Sequence, residues 1–227
     1  MNSDRRHDHV RDRRVQYESA GLDRADLDAS PITQWHRWYD DAVEADLPEP
    51  NAMVIGTVDS DSMPDSRVVL VRAVDDDGLC FYGNYESAKG RQLAGTPKAS
   101  AVFPWLALHR QVRVRGRVEL MTAAESDAYF ASRPRDSQLG AWASPQSEEI
   151  TDRSVLEARV AEAERRFPSL VDRPPHWGGW RLVPTAFEFW QGRPSRLHDR
   201  FRYTLNPNGL NDPNGANGLW TISRLAP

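Results

Sequence analysis

Three basic side chains, Arg196, His198 and Arg200, occupy alternate positions at the end of the segment FEFWQGRPSRLHDR, residues 187–200. If this segment is extended, side chains two residues apart point to the same face. Two guanidinium groups beside an imidazole suit an anionic aromatic ligand that also forms hydrogen bonds. The same spacing is typical of a solvated basic edge strand. The pattern therefore indicates a candidate site and leaves both interpretations open.

A second candidate site lies in and before the segment SRPRDSQLGAW, residues 132–142. Tyr129, Arg133 and Ser137 are four residues apart at each step. On a helix that continues slightly past Pro134 they would approach one another and could hold one phosphate. The plainer interpretation is a core tyrosine, a surface arginine and a turn serine.

Further cations stand at strand and helix positions. Arg67 and Arg72 are five residues apart near a predicted strand, and Lys89 falls in the first turns of a predicted helix, where the helix dipole favours an anion. Each of these residues, taken alone, is typical of a protein surface.

Composition limits the class of protein. The chain has 227 residues, 39% of them hydrophobic and 27% charged, with a net charge of −4, which favours a globular protein and disfavours general nucleic-acid binding. No apolar run approaches the roughly 20 residues that span a bilayer, and the N-terminus lacks an apolar signal region. We therefore expect a cytoplasmic protein with no membrane partner. The single cysteine, Cys80, excludes an intrachain disulfide and a multi-cysteine metal site, and we expect no metal.

The predicted domain organisation is a flexible N-terminal arm, residues 1–20, followed by a single domain, residues 21–227. The arm is dense in charge and poor in apolar residues. Its arginines alternate with Asp4, Asp8 and Asp12, so a solvated tail is favoured over a polyanion-binding segment.

Helices and strands are predicted from capping residues and hydrophobic periodicity. The predicted helices are 31–45, 87–93, a helix that opens at the Thr122–Glu125 capping box and ends near 132, and 151–167. The predicted strands are 53–58, 68–74, 79–82, 99–105, 111–120, 180–183, 186–190 and 219–224. In strand 111–120, valines alternate with Arg113, Arg115 and Arg117, which we interpret as a solvent face. About eight short strands, with helices confined to the connections, predict a closed or nearly closed barrel.

The segments RPRDSQLGAW and RLHDR and the C-terminal RLAP closely resemble the pyridoxine/pyridoxamine 5'-phosphate oxidases. The resemblance extends from about Tyr17 to Pro227. It implies a mainly β fold with peripheral helices (α+β), namely the FMN-binding split β-barrel, and a homodimer with FMN between the subunits.

The resemblance also implies a role for particular residues. The implied FMN-binding residues are Arg67, Val68, Val69, Leu70, Val71, Arg72, Tyr82, Gly83, Lys89, Gln111, Gln146, Ser147, Trp190 and Arg200. The implied substrate-binding residues are Arg14, Tyr17, Arg72, Tyr129, Arg133, Ser137, Arg196 and His198, of which Arg196 and His198 are the implied catalytic pair. The chain departs from the family at three positions: Arg72 replaces a common lysine, Ala88 a common basic residue and Gly83 a common hydroxyl residue.

The implied reaction is the oxidation of pyridoxamine or pyridoxine 5'-phosphate to pyridoxal 5'-phosphate, with O₂ as acceptor and hydrogen peroxide as product. One alternative is a sibling flavin oxidase that acts on another aromatic substrate, as in phenazine biosynthesis. Another is a non-catalytic protein that binds FMN or pyridoxal phosphate. The complete set Tyr129, Arg133 and Ser137 favours the phosphorylated vitamin, and the retention of Arg196 with His198 favours an enzyme.

Overall fold

The computed structural model describes Tyr17, residues 21–206 and residues 219–227. Within these residues the fold is mainly β with peripheral helices, as predicted, but it has five α-helices where four were predicted, since Arg135–Ala143 is an additional one. The helices are α1 Pro31–Glu44, α2 Ala88–Gly95, α3 Ala123–Ser132, α4 Arg135–Ala143 and α5 Arg153–Arg166. The strands are β1 Ala52–Val58, β2 Pro64–Leu70, β3 Ala73–Asp75, β4 Gly78–Asn84, β5 Lys98–Trp105, β6 Arg110–Leu120, β7 Trp177–Gln191, β8 Asp199–Leu205 and β9 Trp220–Arg224.

The strands form one antiparallel sheet that curls into a half-barrel. Its order is β2-β1-β5-β6-β7-β4-β3, with β8 added to β7 and β9 added to β8. β2 and β3 are consecutive in the chain but lie at opposite ends of this order. The two residues that link β2 to β3 form hydrogen bonds to different parts of the sheet. The Val71 N–H donates to Asn51 O (3.0 Å), just before β1, and the Arg72 N–H donates to Cys80 O (2.8 Å) in β4. The predicted single strand 68–74 is therefore wrong, since the chain changes its pairing partner at Val71.

The barrel interior holds the main core. Val112, Val114, Phe187 and Phe189 are fully buried, so the predicted alternation of β6 is confirmed and β7 follows the same pattern. Helix α1 covers one side and buries Trp35 and its other apolar residues against the sheet. A smaller apolar cluster under α3, α4 and α5 consists of Phe130, Leu139, Ala163, Phe167, Val171 and Trp177.

β7 is one long strand where two were predicted. Pro184 lies opposite Gly116 and Ala186 lies opposite Arg115, so Thr185 is an extra residue in a β-bulge. A Cβ at position 116 would lie 1.9 Å from the Val183 carbonyl oxygen, so only glycine fits there. The first part of β7 pairs with β4 and the part after the bulge pairs with β8.

The helix that holds Tyr129 does not continue past Pro134. Helix α3 ends at Ser132, and Arg133 has extended backbone angles (φ −73°, ψ 148°) before α4 begins. The expected continuous helix is therefore wrong, because a proline disfavours helical backbone in the residue before it.

The segment between β7 and β8 also differs from its prediction. Pro194–Arg196 forms a 3₁₀ turn in which Ser195 and Arg196 have positive φ (57° and 62°), and β8 begins only at Asp199. Arg196, His198 and Arg200 therefore do not share one strand face. β7 ends at Gln191, just before the turn residues Gly192 and Pro194. Residues 192–198 then reverse the direction of the chain before β8 begins.

Most of the predicted arm 1–20, including Arg14, lies outside the described residues. So do residues 207–218, a turn-rich segment that carries a repeated Pro-Asn-Gly. No helix of the described chain has the length and apolar character needed to span a bilayer.

Candidate functional site

Lys89 is a buried lysine at the start of α2. Ser87 caps this helix and accepts a hydrogen bond from Lys89 Nζ (3.0 Å), while Gln146 Oε1 accepts another (2.8 Å). Lys89 is 6% exposed, and the described residues offer no carboxylate within ion-pairing distance of it. Burial, assisted by the charge of Arg67, lowers the pKa of Lys89 to about 8. A buried ammonium group without a carboxylate is a strong attractor for an anionic ligand.

Arg67, on β2, adds a second positive charge near Lys89. Its Nη1 donates to Thr57 Oγ1 (2.5 Å) and its Nη2 donates to Gln92 Oε1 (3.0 Å), one helical turn after Lys89. Asp65 also pairs with Nη2. We call Arg67, Gly83, Lys89 and Gln146 the Lys89 cluster.

Gly83 lies directly beside the lysine. A Cβ at this position would lie 2.9 Å from Lys89 Nζ and would crowd the ammonium group. The glycine therefore allows the ammonium group to approach the backbone of β4 closely.

Arg133 is a half-buried cation that also has no carboxylate partner among the described residues. Its guanidinium lies over the Trp177 ring (4.6 Å), and its buried Nη1 atom has no hydrogen-bond partner among those residues. Desolvation lowers the pKa of Arg133, the nearby Tyr129 raises it, and the charge of Arg72 lowers it. Arg72 therefore lies close enough to contribute to the same positive potential.

A stack of aromatic rings forms the wall beside Arg133. Tyr82 stacks on Tyr129 with ring centroids 3.8 Å apart, and both stack on Trp177. Burial raises the pKa of Tyr82 to about 12, so its hydroxyl stays protonated. We call Arg72, Tyr82, Tyr129, Arg133 and Trp177 the Arg133 cluster. Ser137 lies in the first turn of α4, and its part in ligand binding stays a prediction.

A third group gathers around Trp190. The Tyr17 ring lies 6.0 Å from Trp190 and 5.8 Å from His198, and Trp190 lies 4.6 Å from His198. Gln111 and Arg200 stand on either side of Trp190 in the sheet, directly opposite it in register. We call Tyr17, Gln111, Trp190, His198 and Arg200 the Trp190 cluster.

His198 has a defined tautomer. The Arg193 N–H donates to His198 Nδ1 (3.1 Å), so Nδ1 carries no proton and the proton of the neutral ring is on Nε2. Burial and the charge of Arg196 lower the pKa of His198, while Asp199 raises it. Arg196 is therefore near the imidazole although its own side chain is exposed.

The sheet separates the Lys89 cluster from the Trp190 cluster. Arg67 lies opposite Ile55, whose side chain is fully buried in the barrel, so Arg67 belongs to the core-facing side. Trp190 alternates with the buried Phe189 and so belongs to the outer side. Between β2 and β6 there are three strand spacings, roughly 14 Å. One chain therefore presents the predicted flavin residues as two sets on opposite faces.

Sequence reasoning missed Glu188, His109 and Gln92. Glu188 is 6% exposed on the outer face and pairs with Arg113 (3.3 Å) and Arg200 (2.8 Å), so the supposed solvent face of β6 includes a buried ion pair. The alternation FEFW places Glu188 opposite to the core, but only the register reveals its arginine partners. The His109 ring lies 4.3 Å from the Tyr17 ring, tilted by 54°, and belongs to a turn that the pattern did not indicate. Val69 packs against the main core. Among the described residues, Val68, Leu70 and Ser147 have no side-chain contact that assigns them a role in ligand binding.

Comparisons with known proteins show the family and the fold of this chain. Residues 39–167 match the family model described as pyridoxamine 5'-phosphate oxidase, and residues 177–227 match the pyridoxine 5'-phosphate oxidase C-terminal dimerisation region. A pyridoxine/pyridoxamine 5'-phosphate oxidase of Ralstonia pickettii is 52% identical over 218 residues, covering 96% of this chain and 99% of the relative. One of Cupriavidus necator is 52% identical over 216 residues, covering 95% and 98%.

Two solved structures share the fold. PhzG from Burkholderia lata, determined with tetrahydrophenazine-1-carboxylic acid, has a TM-score of 0.83 and 30% identity, covering 94% of this chain and 100% of its own. A pyridoxamine 5'-phosphate oxidase-related, FMN-binding protein from Nostoc punctiforme has a TM-score of 0.67 and 17% identity, covering 88% and 100%. This second likeness shows the split-barrel fold alone.

Proposed function

This chain belongs to the pyridoxamine 5'-phosphate oxidase family, and we propose that it oxidises pyridoxamine or pyridoxine 5'-phosphate to pyridoxal 5'-phosphate with FMN as cofactor. The observation that carries the proposal is that the buried Lys89 and the half-buried Arg133, whose Nη1 atom is buried, lack a carboxylate partner among the described residues. The reaction needs two phosphate monoesters, one on the flavin and one on the substrate. Two separate cation sites match that requirement.

The Lys89 cluster is the proposed site for the flavin phosphate. Arg67 provides a guanidinium already oriented by Thr57 and Gln92, and Lys89 provides a point charge that its burial makes costly without an anion. When bound, FMN supplies the two-electron acceptor that the protein side chains lack, and O₂ regenerates it with release of hydrogen peroxide.

The Arg133 cluster is the proposed site for the substrate phosphate. The unpartnered Nη1 of Arg133 gives a donor that a phosphate oxygen can satisfy, and Arg72 adds positive charge. Tyr129 and Ser137 supply hydroxyl groups from the two helices on either side of the Pro134 break. Contacts of this kind hold the substrate by its phosphate, at a distance from the carbon that reacts.

Arg196 and His198 are the proposed orienting residues for the pyridine ring. His198 is neutral at physiological pH because burial and Arg196 lower its pKa, and its Nε2–H can donate to a ring substituent. Tyr17 covers the same space from the side of His109. These residues position the substrate, and no covalent intermediate on a side chain is required.

The proposed functional unit is a homodimer. The two sets of flavin residues lie on opposite faces of one sheet, so a single flavin can contact both only if the outer face of a second copy completes the site. Residues 177–227, which carry Trp190 and Arg200, match a dimerisation region. Both observations support an interface at the outer face.

A spectroscopic experiment tests the proposal. The purified protein is saturated with FMN, made anaerobic and mixed with pyridoxamine 5'-phosphate. We expect the visible flavin absorbance to bleach and to return on admission of O₂, with one pyridoxal 5'-phosphate formed per flavin. Bleaching by unphosphorylated aromatic substrates alone would favour the phenazine-type alternative. A protein that binds FMN without bleaching would indicate a non-catalytic binding protein.

A further inference from the structure

The guanidinium group of Arg200 is fixed by two distant segments of the chain. Its Nε and Nη2 atoms donate to Glu188 Oε1 (3.0 and 2.8 Å), and its Nη1 atom donates to the carbonyl oxygen of Ala226 (2.8 Å). All three nitrogen atoms therefore have defined partners before any ligand binds. An arginine side chain has many rotamers in solution, and here that freedom is already restricted.

Glu188 is the buried anchor of this arrangement. Its side chain is only 7% exposed and lies among Arg113 (3.3 Å), Arg200 (2.8 Å) and Arg202 (3.7 Å). Glu188 and Trp190 are two residues apart on β7, so both belong to the outer face. A carboxylate that is buried beneath guanidinium groups fixes their positions, because any movement would leave its charge unpaired.

The C-terminal tail is the second anchor. β9 ends at Arg224, yet the following residues stay on β8: the Leu225 N–H donates to Arg200 O (2.8 Å), and Ala226 O accepts from the Arg200 side chain. Arg224 lies over the Phe201 ring (4.5 Å) and pairs with Asp199 (2.7 Å). Ala226 and Pro227 are exposed, so apolar burial does not explain the placement of the tail.

We propose that Glu188 and the tail residues Leu225 and Ala226 are positioning residues that orient Arg200 for the flavin. The C-terminal RLAP segment thereby acquires a role in cofactor retention. The inference rests on the proposed function, in which Arg200 contacts FMN. Neither Glu188 nor the tail needs to touch the flavin, since both act through the guanidinium group.

The test measures FMN dissociation constants by quenching of flavin fluorescence in full-length dimeric protein. The variants are Glu188→Gln, which keeps the size and one acceptor but removes the charge, and a deletion of Leu225–Pro227. Each is also made in an Arg200→Ala background. The matched controls are Glu162→Gln, an exposed partner of Arg165, and Pro227→Ala, which keeps the amide carbonyl of Ala226.

We expect each single variant to weaken FMN binding about tenfold, equivalent to about 1.4 kcal/mol. Neither should weaken it further in the Arg200→Ala background, because the residue through which they act is gone. Both controls should bind FMN with the affinity of the wild-type protein. Non-additivity separates positioning from a merely structural role, which would persist without Arg200.

Three results would overturn the inference: unchanged FMN affinity in both single variants, an equal loss with and without Arg200, or normal affinity in Arg200→Ala itself. Failure of the proposed function is distinguishable, because it would be seen in the wild-type protein as an absence of quenching. If Glu188→Gln proves unstable, the tail deletion with its Arg200→Ala partner decides alone, since the tail residues lie outside the core.

Discussion

Arg133 lies over the ring of Trp177, 4.6 Å from its centroid, with its buried Nη1 atom unpartnered among the described residues. The tryptophan fixes the plane of the guanidinium group without using its hydrogen-bond donors. Those donors remain available to a ligand in a partly desolvated place, where a charged hydrogen bond is strong. This relationship leads to the first prediction.

Arg133→Ala should raise the KM for pyridoxamine 5'-phosphate about 10- to 100-fold, the range of one or two charged hydrogen bonds. Contacts to the phosphate stabilise the bound substrate and the transition state about equally, so kcat should change only a few-fold. Steady-state kinetics with pyridoxamine, which lacks the phosphate, supply the control: its turnover should respond weakly. An unchanged KM for the phosphorylated substrate would remove Arg133 from the site.

FMN affinity should fall as the pH rises through about 8, the pKa to which burial and Arg67 lower Lys89. Below this pH, Lys89 is already an ammonium group that can pair with the phosphate. Above it, Lys89 must take up a proton when FMN binds. Titrations between pH 7 and 9.5 measure the effect, with riboflavin as the ligand that lacks a phosphate. Lys89→Arg should flatten the dependence because arginine stays charged. A pH-independent affinity in the wild type contradicts the assignment.

Lys89→Met should stabilise the apoprotein at neutral pH while weakening FMN binding. With its pKa lowered from 10.5 to about 8, Lys89 binds a proton more weakly in the folded state than in the unfolded state. The loss of folding stability caused by the charged Lys89 is therefore complete below pH 8 and disappears as the pH rises to 10.5. Urea unfolding at pH 7 should show a gain on the order of 1–3 kcal/mol that vanishes near pH 10.5. A less stable variant at pH 7 would show that Lys89 is satisfied without a ligand.

Arg196→Gln should reduce kcat/KM by about 10²-fold, the scale of losing a positioned charged contact. It should also move the acidic limb of the pH profile to higher pH, since after burial the charge of Arg196 is the next contribution that lowers the pKa of His198. FMN affinity and the thermal midpoint should stay near wild type, because Arg196 is exposed on a turn. A loss of activity caused by loss of flavin would contradict this assignment.

Two inactive variants should restore activity when their subunits are mixed. Lys89→Met damages the core-facing set and Arg200→Ala damages the outer set. If one chain supplies each set, a mixed dimer has one native site and one doubly altered site. Random assortment then leaves about a quarter of all sites native. Coexpression with two affinity tags isolates the mixed dimer, and its activity is compared with each parent. No recovery would place both sets in the same chain.

Local signals predicted much of the fold. Ser30 before Pro31 and the Thr122–Glu125 capping box mark the starts of α1 and α3, and the alternating valines of β6 face the core as expected. The family, the reaction class and the split barrel inferred from RPRDSQLGAW and the C-terminal RLAP are confirmed by the matches to relatives. These features depend on neighbouring residues, which a sequence displays directly.

Features that depend on a reversal of the chain or on strand pairing were harder to predict from the sequence. The alternate spacing of Arg196, His198 and Arg200 predicted one strand face, but the positive φ of Ser195 and Arg196 turns the chain first. The period-four spacing of Tyr129, Arg133 and Ser137 crosses a helix break, and Tyr129 and Arg133 meet around Trp177, which is 44 positions further along the chain than Arg133. Glu188 could be identified as buried only when the register placed Arg113 and Arg202 opposite it.

The bulge at Thr185 makes the length of β7 a constraint in its own right. Trp177, which supports Arg133, and Trp190, which stands beside Arg200, belong to the same strand on either side of that extra residue. Deleting Phe187 would shift the residues that follow it by one position, turning Glu188 toward the core and Phe189 outward. Thr185 is the one position whose removal would preserve the alternation, at the cost of the local bend. Family members should therefore vary here by substitution, and insertions or deletions should accumulate elsewhere.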